Sequence, residues 1–140
     1  MTQIHPYLAF DGDCRTAMTF YQSCLGGELM IHNVEGSPAE AHIAPDMKNR
    51  VLHASLVKDS LVLLASDMCM GEKLVRGNGC SISLNCSSEE EIHDFFAKLS
   101  VGAEITQPLQ DQFWGALFGM FNDQFGVTWM LNFDKTPPQS

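Results

Sequence analysis

The chain has few basic residues for its size. Its 140 residues include 8 lysines and arginines against 17 aspartates and glutamates, which gives a formal net charge of −9. A phosphate backbone is bound by a basic surface, so nucleic acid is not an expected partner. Apart from the run at 89–91 the acidic residues are scattered, which is typical of a solvated surface.

Long apolar runs and paired cysteine motifs are also missing. No segment approaches the roughly 18 apolar residues that a membrane helix needs. The first residues lack the basic and apolar segments of a secretory signal, so secretion is not expected. The cysteines number five, and none of them forms a C-x-x-C motif, which disfavours a disulfide framework or a structural zinc site. These features predict a cytoplasmic protein with no membrane partner.

What the chain does contain is typical of a globular protein. Hydrophobic residues make up 45% of it and charged residues 18%, which places it in the ordinary globular class. Its length is sufficient for a sizeable core and fits a single domain. We therefore expect residues 1–140 to fold as one domain.

The most informative pattern is an internal repeat. Residues 6–29 read as a short apolar strand, a polar turn, a helix with an aromatic pair, a glycine stop and a new strand. The same order returns in weaker form about 75 residues later, over 81–105. It predicts an α+β fold of two βαβββ modules. Their approximate limits are 1–67 for module one and 79–134 for module two, with a linker at about 68–78 and a frayed tail at 135–140.

Two helices are predicted by apolar residues that recur at steps of three and four. The first follows Asp13, a candidate N-cap, and ends at Gly26. The second begins at Ser88 and Glu91, which match a capping box, and ends at Gly102.

Residues 35–50 break the repeat pattern. They contain two prolines and a glycine, and their apolar residues follow no clear period. We interpret them as a long excursion with one helical turn. Two roles stay open for it, a lid or binding loop and a plain surface loop.

Several short motifs follow one another in an order that resembles a known superfamily. They are Pro6–Phe10, Phe20–Tyr21 with Leu25–Gly27, Leu63–Asp67, Phe113–Gly115, and Asp123–Gly126 before Thr128–Asn132. From about residue 4 to 133 the chain is similar to the vicinal oxygen chelate superfamily. Its members include glyoxalase I, extradiol dioxygenases, fosfomycin resistance enzymes and bleomycin-binding proteins. The chain is most similar to the PhnB-like branch, often labelled 3-demethylubiquinone-9 3-methyltransferase.

The resemblance implies a glyoxalase-like fold, in which each module curls a mixed sheet around a pocket, and a homodimer. We do not expect methyltransferase activity. The sequence has no glycine-rich strand-to-helix turn that would hold a nucleoside cofactor.

The resemblance also implies where a divalent metal would be bound. Superfamily enzymes hold it with side chains on the first, fourth, fifth and eighth strands. Carried onto this chain, those positions fall on His5 and near Leu63, Ser81 and Met130. Leucine and methionine are poor ligands for such a cation, and serine is a weak one. We therefore predict no metal or other cofactor. If a metal is bound, the alternative donors are His5 with Asp67 or His53.

Two functions compete. The first is a small-molecule-binding protein without the usual metal ligands, whose ligand stays unidentified. Its expected pocket residues are His5, Tyr7, Leu63, Ser81, Trp114 and Met130. The second is a divalent-metal-dependent lyase, isomerase or dioxygenase that acts on a small oxygenated substrate, with the metal as Lewis acid. The missing ligands favour the first.

The two tryptophans have different expected roles. Trp114 lies beside a glycine, where it is either a pocket wall or part of the packing between modules. Trp129 precedes Met130 in a strand, so the two side chains leave on opposite faces. We expect Trp129 in the core or at a contact with a helix. No nucleophile arrangement is convincing, and no catalytic residue is assigned.

Overall fold

Residues 2–69 and 73–135 are described by a computed structural model, in which they belong to two units, Met1–Val75 and Arg76–Ser140. The division falls inside the predicted linker. Residues 70–72 of that linker and residues 136–140 of the predicted frayed tail lie outside the described residues.

Unit one is a four-stranded mixed sheet with one helix. Its elements are β1 (Tyr7–Phe10), α1 (Cys14–Leu25), β2 (Glu28–Asn33), β3 (Val51–Lys58) and β4 (Leu61–Asp67). The strand order is β1-β4-β3-β2, with β1 parallel to β4 and the other pairs antiparallel.

Unit two has the same topology. Its elements are β5 (Ile82–Asn85), α2 (Glu89–Leu99), β6 (Glu104–Asp111), β7 (Ala116–Asn122) and β8 (Thr128–Asp134). The strand order is β5-β8-β7-β6, with β5 parallel to β8. The two units confirm the predicted α+β fold of two βαβββ modules.

Each helix buries one face against its own sheet. In unit one the apolar face of α1 contributes fully buried Met18 and Tyr21, and β3 contributes Leu56. In unit two the ring of Phe96 on α2 meets that of Phe121 edge to face, with centroids 5.2 Å apart. Trp129 is only 1% exposed, which confirms its predicted place in the core.

The two helices begin differently. In α2 the predicted cap by Ser88 is confirmed, since the Glu91 N–H donates to Ser88 Oγ at 3.0 Å. The Glu91 carboxylate accepts from the Ser87 N–H, where a capping box has the N–H of the N-cap residue itself. The predicted cap of α1 is wrong, because the Asp13 side chain makes no capping hydrogen bond. The start of α1 is bound instead by Asp67 at the end of β4, whose Oδ1 accepts from the Cys14 N–H at 3.0 Å.

The excursion at 35–50 contains two 3-10 turns, Pro38–His42 and Pro45–Met47, where one helical turn was expected. Its ends are held together, because the Val34 N–H donates to the Arg50 carbonyl at 3.0 Å. The Arg50 guanidinium also donates to Asp11 Oδ1 at 2.8 Å. The base of the excursion is therefore fixed to unit one, and its role stays a prediction.

Candidate functional site

The face of each sheet turned away from its helix carries the candidate site residues, and we call it the open face of that unit. Side chains alternate along a strand, and directly paired residues share a face. In unit one the buried residues of β3 and β4 face α1. Their neighbours form the open face, which comprises Tyr7, Ala9, Met30, His32, His53, Ser55, Leu64 and Ser66.

Three side chains on the open face of unit one form the Tyr7–His53–His32 cluster. The Tyr7 hydroxyl lies 3.0 Å from His53 Nδ1, within hydrogen-bond distance. His32 pairs with His53 across β2 and β3, and the two rings lie 6.4 Å apart between centroids and 22° from parallel. Tyr7 is 52% exposed, so the cluster presents a hydroxyl and imidazole nitrogens to an incoming molecule.

Two predicted site residues of β4 lie on the other face. Leu63 is 3% exposed and packs on the helix side, whereas Leu64 pairs with Tyr7 on the open face. The residues of β4 that lie on the open face are therefore shifted by one position from those expected from the sequence.

Asp67 shares the helix side with Leu63 and is 5% exposed, not at a pocket rim. Its Oδ1 accepts from the N–H groups of Gly12 and Cys14 at 2.8 and 3.0 Å. Its Oδ2 accepts from the Val51 N–H at 2.9 Å. Because both oxygens are engaged with backbone, this carboxylate holds the fold rather than a ligand.

His5 precedes β1 and is half-buried. Its Nε2 lies 3.0 Å from Gln3 Oε1, which is two residues away in the chain. From the sequence Tyr7 was expected in the pocket and His53 was an alternative metal donor, whereas His32 was not named; whether any of the three binds a ligand stays a prediction. His32 could not be recognised from the sequence, because the pairing of β2 with β3 is needed to place it opposite His53.

The open face of unit two is more apolar. Met120 of β7 pairs with Met130 of β8, and Met130 pairs on its other side with Ser83 of β5. Phe118 continues the same face along β7. Predicted Met130 therefore lies on an open face, whereas predicted Ser81 is exposed just before β5, and Ser83 takes the position within the strand.

Trp114 lies in the turn between β6 and β7 and is 52% exposed. Its ring centroid lies 6.0 Å from that of Phe118 and 5.1 Å from that of Phe113. The ring thus extends the aromatic surface of the open face of unit two. Phe118 and Met120 were not named from sequence, because an apolar strand residue gives no sign of which face it occupies.

The thiols beside the two helix starts have raised pKa values. Burial, followed by the charges of Asp67 and Asp13, raises the pKa of the Cys14 thiol to about 12. Burial and then Glu91 raise the pKa of the Cys86 thiol to about 12. The thiolate is the nucleophilic form of cysteine, so neither residue is suited to covalent chemistry at neutral pH.

The side chains on the four metal-bearing strands do not fit a divalent centre of the superfamily type. Beside His5, the open faces offer leucine on β4, serine on β5 and methionine on β8. Over residues 2–69 and 73–135 there is no group of three or more histidine, cysteine, aspartate or glutamate residues placed to hold a metal ion. We derive no chemistry through such a centre.

Family comparison agrees with the fold and the order of the motifs. The model of the Glyoxalase/Bleomycin resistance protein/Dioxygenase superfamily matches residues 3–131, and the chain belongs to this superfamily. In the described part of the chain no helix is long and apolar enough to cross a membrane.

Three proteins are similar to this chain over almost its whole length. Protein YjdN of Escherichia coli K12 is 29% identical over 145 residues, which cover 96% of this chain and 97% of that protein. The structure of PA1353 from Pseudomonas aeruginosa is 41% identical with a TM-score of 0.84, covering 96% of this chain and 98% of that one. A Bacillus cereus protein described as a 3-demethylubiquinone-9 3-methyltransferase, PhnB protein, is 26% identical with a TM-score of 0.75 and covers 94% of this chain and 99% of that one. The resemblance to the PhnB-like branch is thereby confirmed.

Proposed function

We propose that this protein binds a small molecule on an open face, considered for each unit by itself, and does so without the metal centre of the superfamily enzymes. The observation that carries this proposal is the hydrogen bond between Tyr7 and His53 on the open face of unit one. It lies beside apolar Leu64, which pairs with Tyr7. A few oriented polar groups on a largely apolar surface are the usual composition of small-molecule sites.

The open face of unit two supports an apolar or aromatic ligand group. Met120 and Met130 form an adjustable apolar surface, since methionine has a flexible and polarizable side chain. Trp114 and Phe118 add flat rings on which a planar group can pack. We retain His5 and Ser81 as proposed ligand contacts, and Leu64 takes the place that Leu63 was expected to have.

The chemistry at hand favours binding over conversion. The raised pKa values of the Cys14 and Cys86 thiols disfavour a nucleophilic role for these two residues. Asp67, the carboxylate expected nearest a pocket, is engaged by three backbone N–H groups. A role in sequestering or sensing a small molecule follows.

A compound screen read by thermal unfolding, followed by calorimetry of the hits, tests this proposal. The wild type is compared with Tyr7→Phe and Leu64→Ala, with the exposed His93→Ala of α2 as control. Loss of the Tyr7 hydroxyl removes one hydrogen bond, worth about 0.5–1.5 kcal/mol, so affinity should fall up to about tenfold. His93→Ala should bind like the wild type.

Two results would contradict the proposal. One is conversion of the bound compound, seen by mass spectrometry after incubation with stoichiometric protein. The other is a set of hits whose affinities are the same in Tyr7→Phe, Leu64→Ala and the wild type.

The cytoplasmic location and the homodimer are part of the same proposal. The odd number of cysteines, five, and the lack of a C-x-x-C motif in the sequence support a reducing compartment. The homodimer rests on the superfamily resemblance, and sedimentation velocity of the purified protein tests it. A monomer at micromolar concentration would count against it.

A further inference from the structure

Two histidines face each other across neighbouring strands of unit one. His32 of β2 is paired directly with His53 of β3, so both side chains leave the sheet on its open face. Directly opposed residues of an antiparallel pair have Cβ atoms about 4.5–5.5 Å apart. The register shifts immediately after His32, and such irregularities turn side chains out of the regular strand direction.

The two imidazoles are close to each other, and rotation of their side chains is needed to bring one nitrogen of each ring to a common ion. Their rings lie 6.4 Å apart between centroids and 22° from parallel. His32 is exposed and His53 is half-buried. An ion in solvent can therefore reach both rings without a rearrangement of the sheet.

Tyr7 engages one of the two ring nitrogens of His53. Its hydroxyl oxygen lies 3.0 Å from Nδ1, which leaves Nε2 for another partner. When Nδ1 carries the proton and donates to Tyr7, Nε2 presents a lone pair. Metal-binding histidines commonly donate the second ring N–H to a neighbouring oxygen in this way, which fixes the tautomer and the ring orientation.

The ligand chemistry selects the class of ion. Imidazole nitrogen suits copper, nickel and zinc, whereas magnesium and calcium take oxygen ligands. We propose that His32 and His53 form a two-histidine site for a late first-row transition-metal ion, Cu(II) above all, with Tyr7 as the positioning residue. Water or the oxygens of a bound molecule complete the coordination.

This site differs from the metal centre of superfamily enzymes in its strands. It lies on β2 and β3, whereas the superfamily ligands come from the first, fourth, fifth and eighth strands. It also does not depend on the proposed small-molecule function, because the metal alone is the probe. Failure of one proposal therefore leaves the other standing.

The test is a titration of tag-free, chelator-treated protein with Cu(II). Calorimetry measures the binding, and electron paramagnetic resonance identifies the ligands of the bound Cu(II). We expect one Cu(II) per chain with two nitrogen ligands, and weaker binding of Ni(II) and Zn(II), in the Irving–Williams order. His32→Ala and His53→Ala should each weaken binding at least tenfold. Tyr7→Phe should weaken it about tenfold, the lower end of what loss of a supporting partner costs.

Controls separate this site from other histidines. His93→Ala on α2 and His42→Ala in the excursion should bind Cu(II) as the wild type does. The proposal is overturned if the wild type binds no Cu(II), or if a folded His32→Ala/His53→Ala double variant binds it as tightly. Circular dichroism verifies that each variant is folded.

Discussion

The two units begin their helices with different kinds of contact. In unit two the start of α2 is held by residues of its own first turn, since Ser88 accepts from the Glu91 N–H and Glu91 accepts from the Ser87 N–H. In unit one the start of α1 is held by Asp67, which lies 53 residues from Cys14 in the chain. One helix start is encoded locally and the other by the tertiary structure.

The difference shows why a polar residue can mislead when it is read from sequence. Asp67 closes an apolar strand, as a ligand-binding carboxylate would, yet it serves three backbone N–H groups. Buried donors must be satisfied, and a carboxylate does this for several at once. A charged residue at a strand end is therefore as good a sign of a helix start nearby as of a binding site.

The largest expected effect concerns the cysteines near the two helix starts. The two helix starts are held by different contacts, but both cysteines should resist alkylation. A pKa raised from 9.0 to about 12 lowers the thiolate fraction of Cys14 and Cys86 about a thousandfold. Iodoacetamide at pH 8 followed by peptide mass spectrometry should modify exposed Cys80 and leave both others intact. Modification of Cys14 before Cys80 would contradict the assignment.

The same pKa values predict how the free energy of unfolding changes with pH. Thiols of the unfolded chain ionise near 9.0, whereas these two ionise near 12 when folded. Between those values the folded state binds more protons, so the free energy of unfolding falls as pH rises. Urea denaturation at pH 8 and pH 10 measures it.

The next effect breaks the long-range anchor. Asp67→Ala leaves the buried N–H groups of Cys14 and Val51 without an acceptor. Each costs about 1–3 kcal/mol, so the free energy of unfolding should fall by about 2 kcal/mol or more. Asp13→Ala is the matched control, since its side chain makes no capping bond. Urea denaturation compares them, and equal losses for the two variants would refute the role given to Asp67.

A substitution in the core tests whether the stability of unit two depends on its packing rather than on a long-range hydrogen bond like those of Asp67. A Cβ at Gly119 would lie 2.5 Å from Phe96 Cε2 and 3.1 Å from Leu109 Cα. Gly119→Ala should therefore cost about 1–3 kcal/mol through overpacking. Gly79→Ala, where a Cβ meets nothing within 4 Å, should have little effect. Thermal unfolding of both variants decides, and a neutral Gly119→Ala would show that Phe96 can move aside.

The smallest expected effect removes the local anchor. Ser88→Ala should cost about 1 kcal/mol, the usual loss for an N-cap serine. Ser88→Thr keeps the hydroxyl and should recover most of it. Chemical denaturation with both variants makes the measurement. A loss for Ser88→Ala as large as that for Asp67→Ala would remove the distinction between the two helix starts.

The sequence was sufficient for the parts of the fold that have a local signal. The cap of α2 depends on residues three positions apart. The burial of Trp129 was predicted from its neighbour Met130, because successive strand residues leave on opposite faces, and Trp129 is 1% exposed. The repeat supplied the order of the elements.

The remaining features needed pairing information. In β4 the apolar run from Leu61 to Ala65 gives no alternation, so the face of Leu63 could not be determined from the strand itself. His32 joined the candidate site only through its register with His53. Whether the residues on the open faces bind a ligand stays a prediction.

The contact between Asp67 and the start of α1 has a consequence for the order in which the chain folds. During synthesis α1 leaves the ribosome long before residue 67, at about 5–20 residues per second. Its first turn must wait for β4, and closing so long a loop slows formation of non-local contacts. The start of α2 has its partners within three residues. We expect hydrogen exchange during refolding to protect the Glu91 amide earlier than the Cys14 amide.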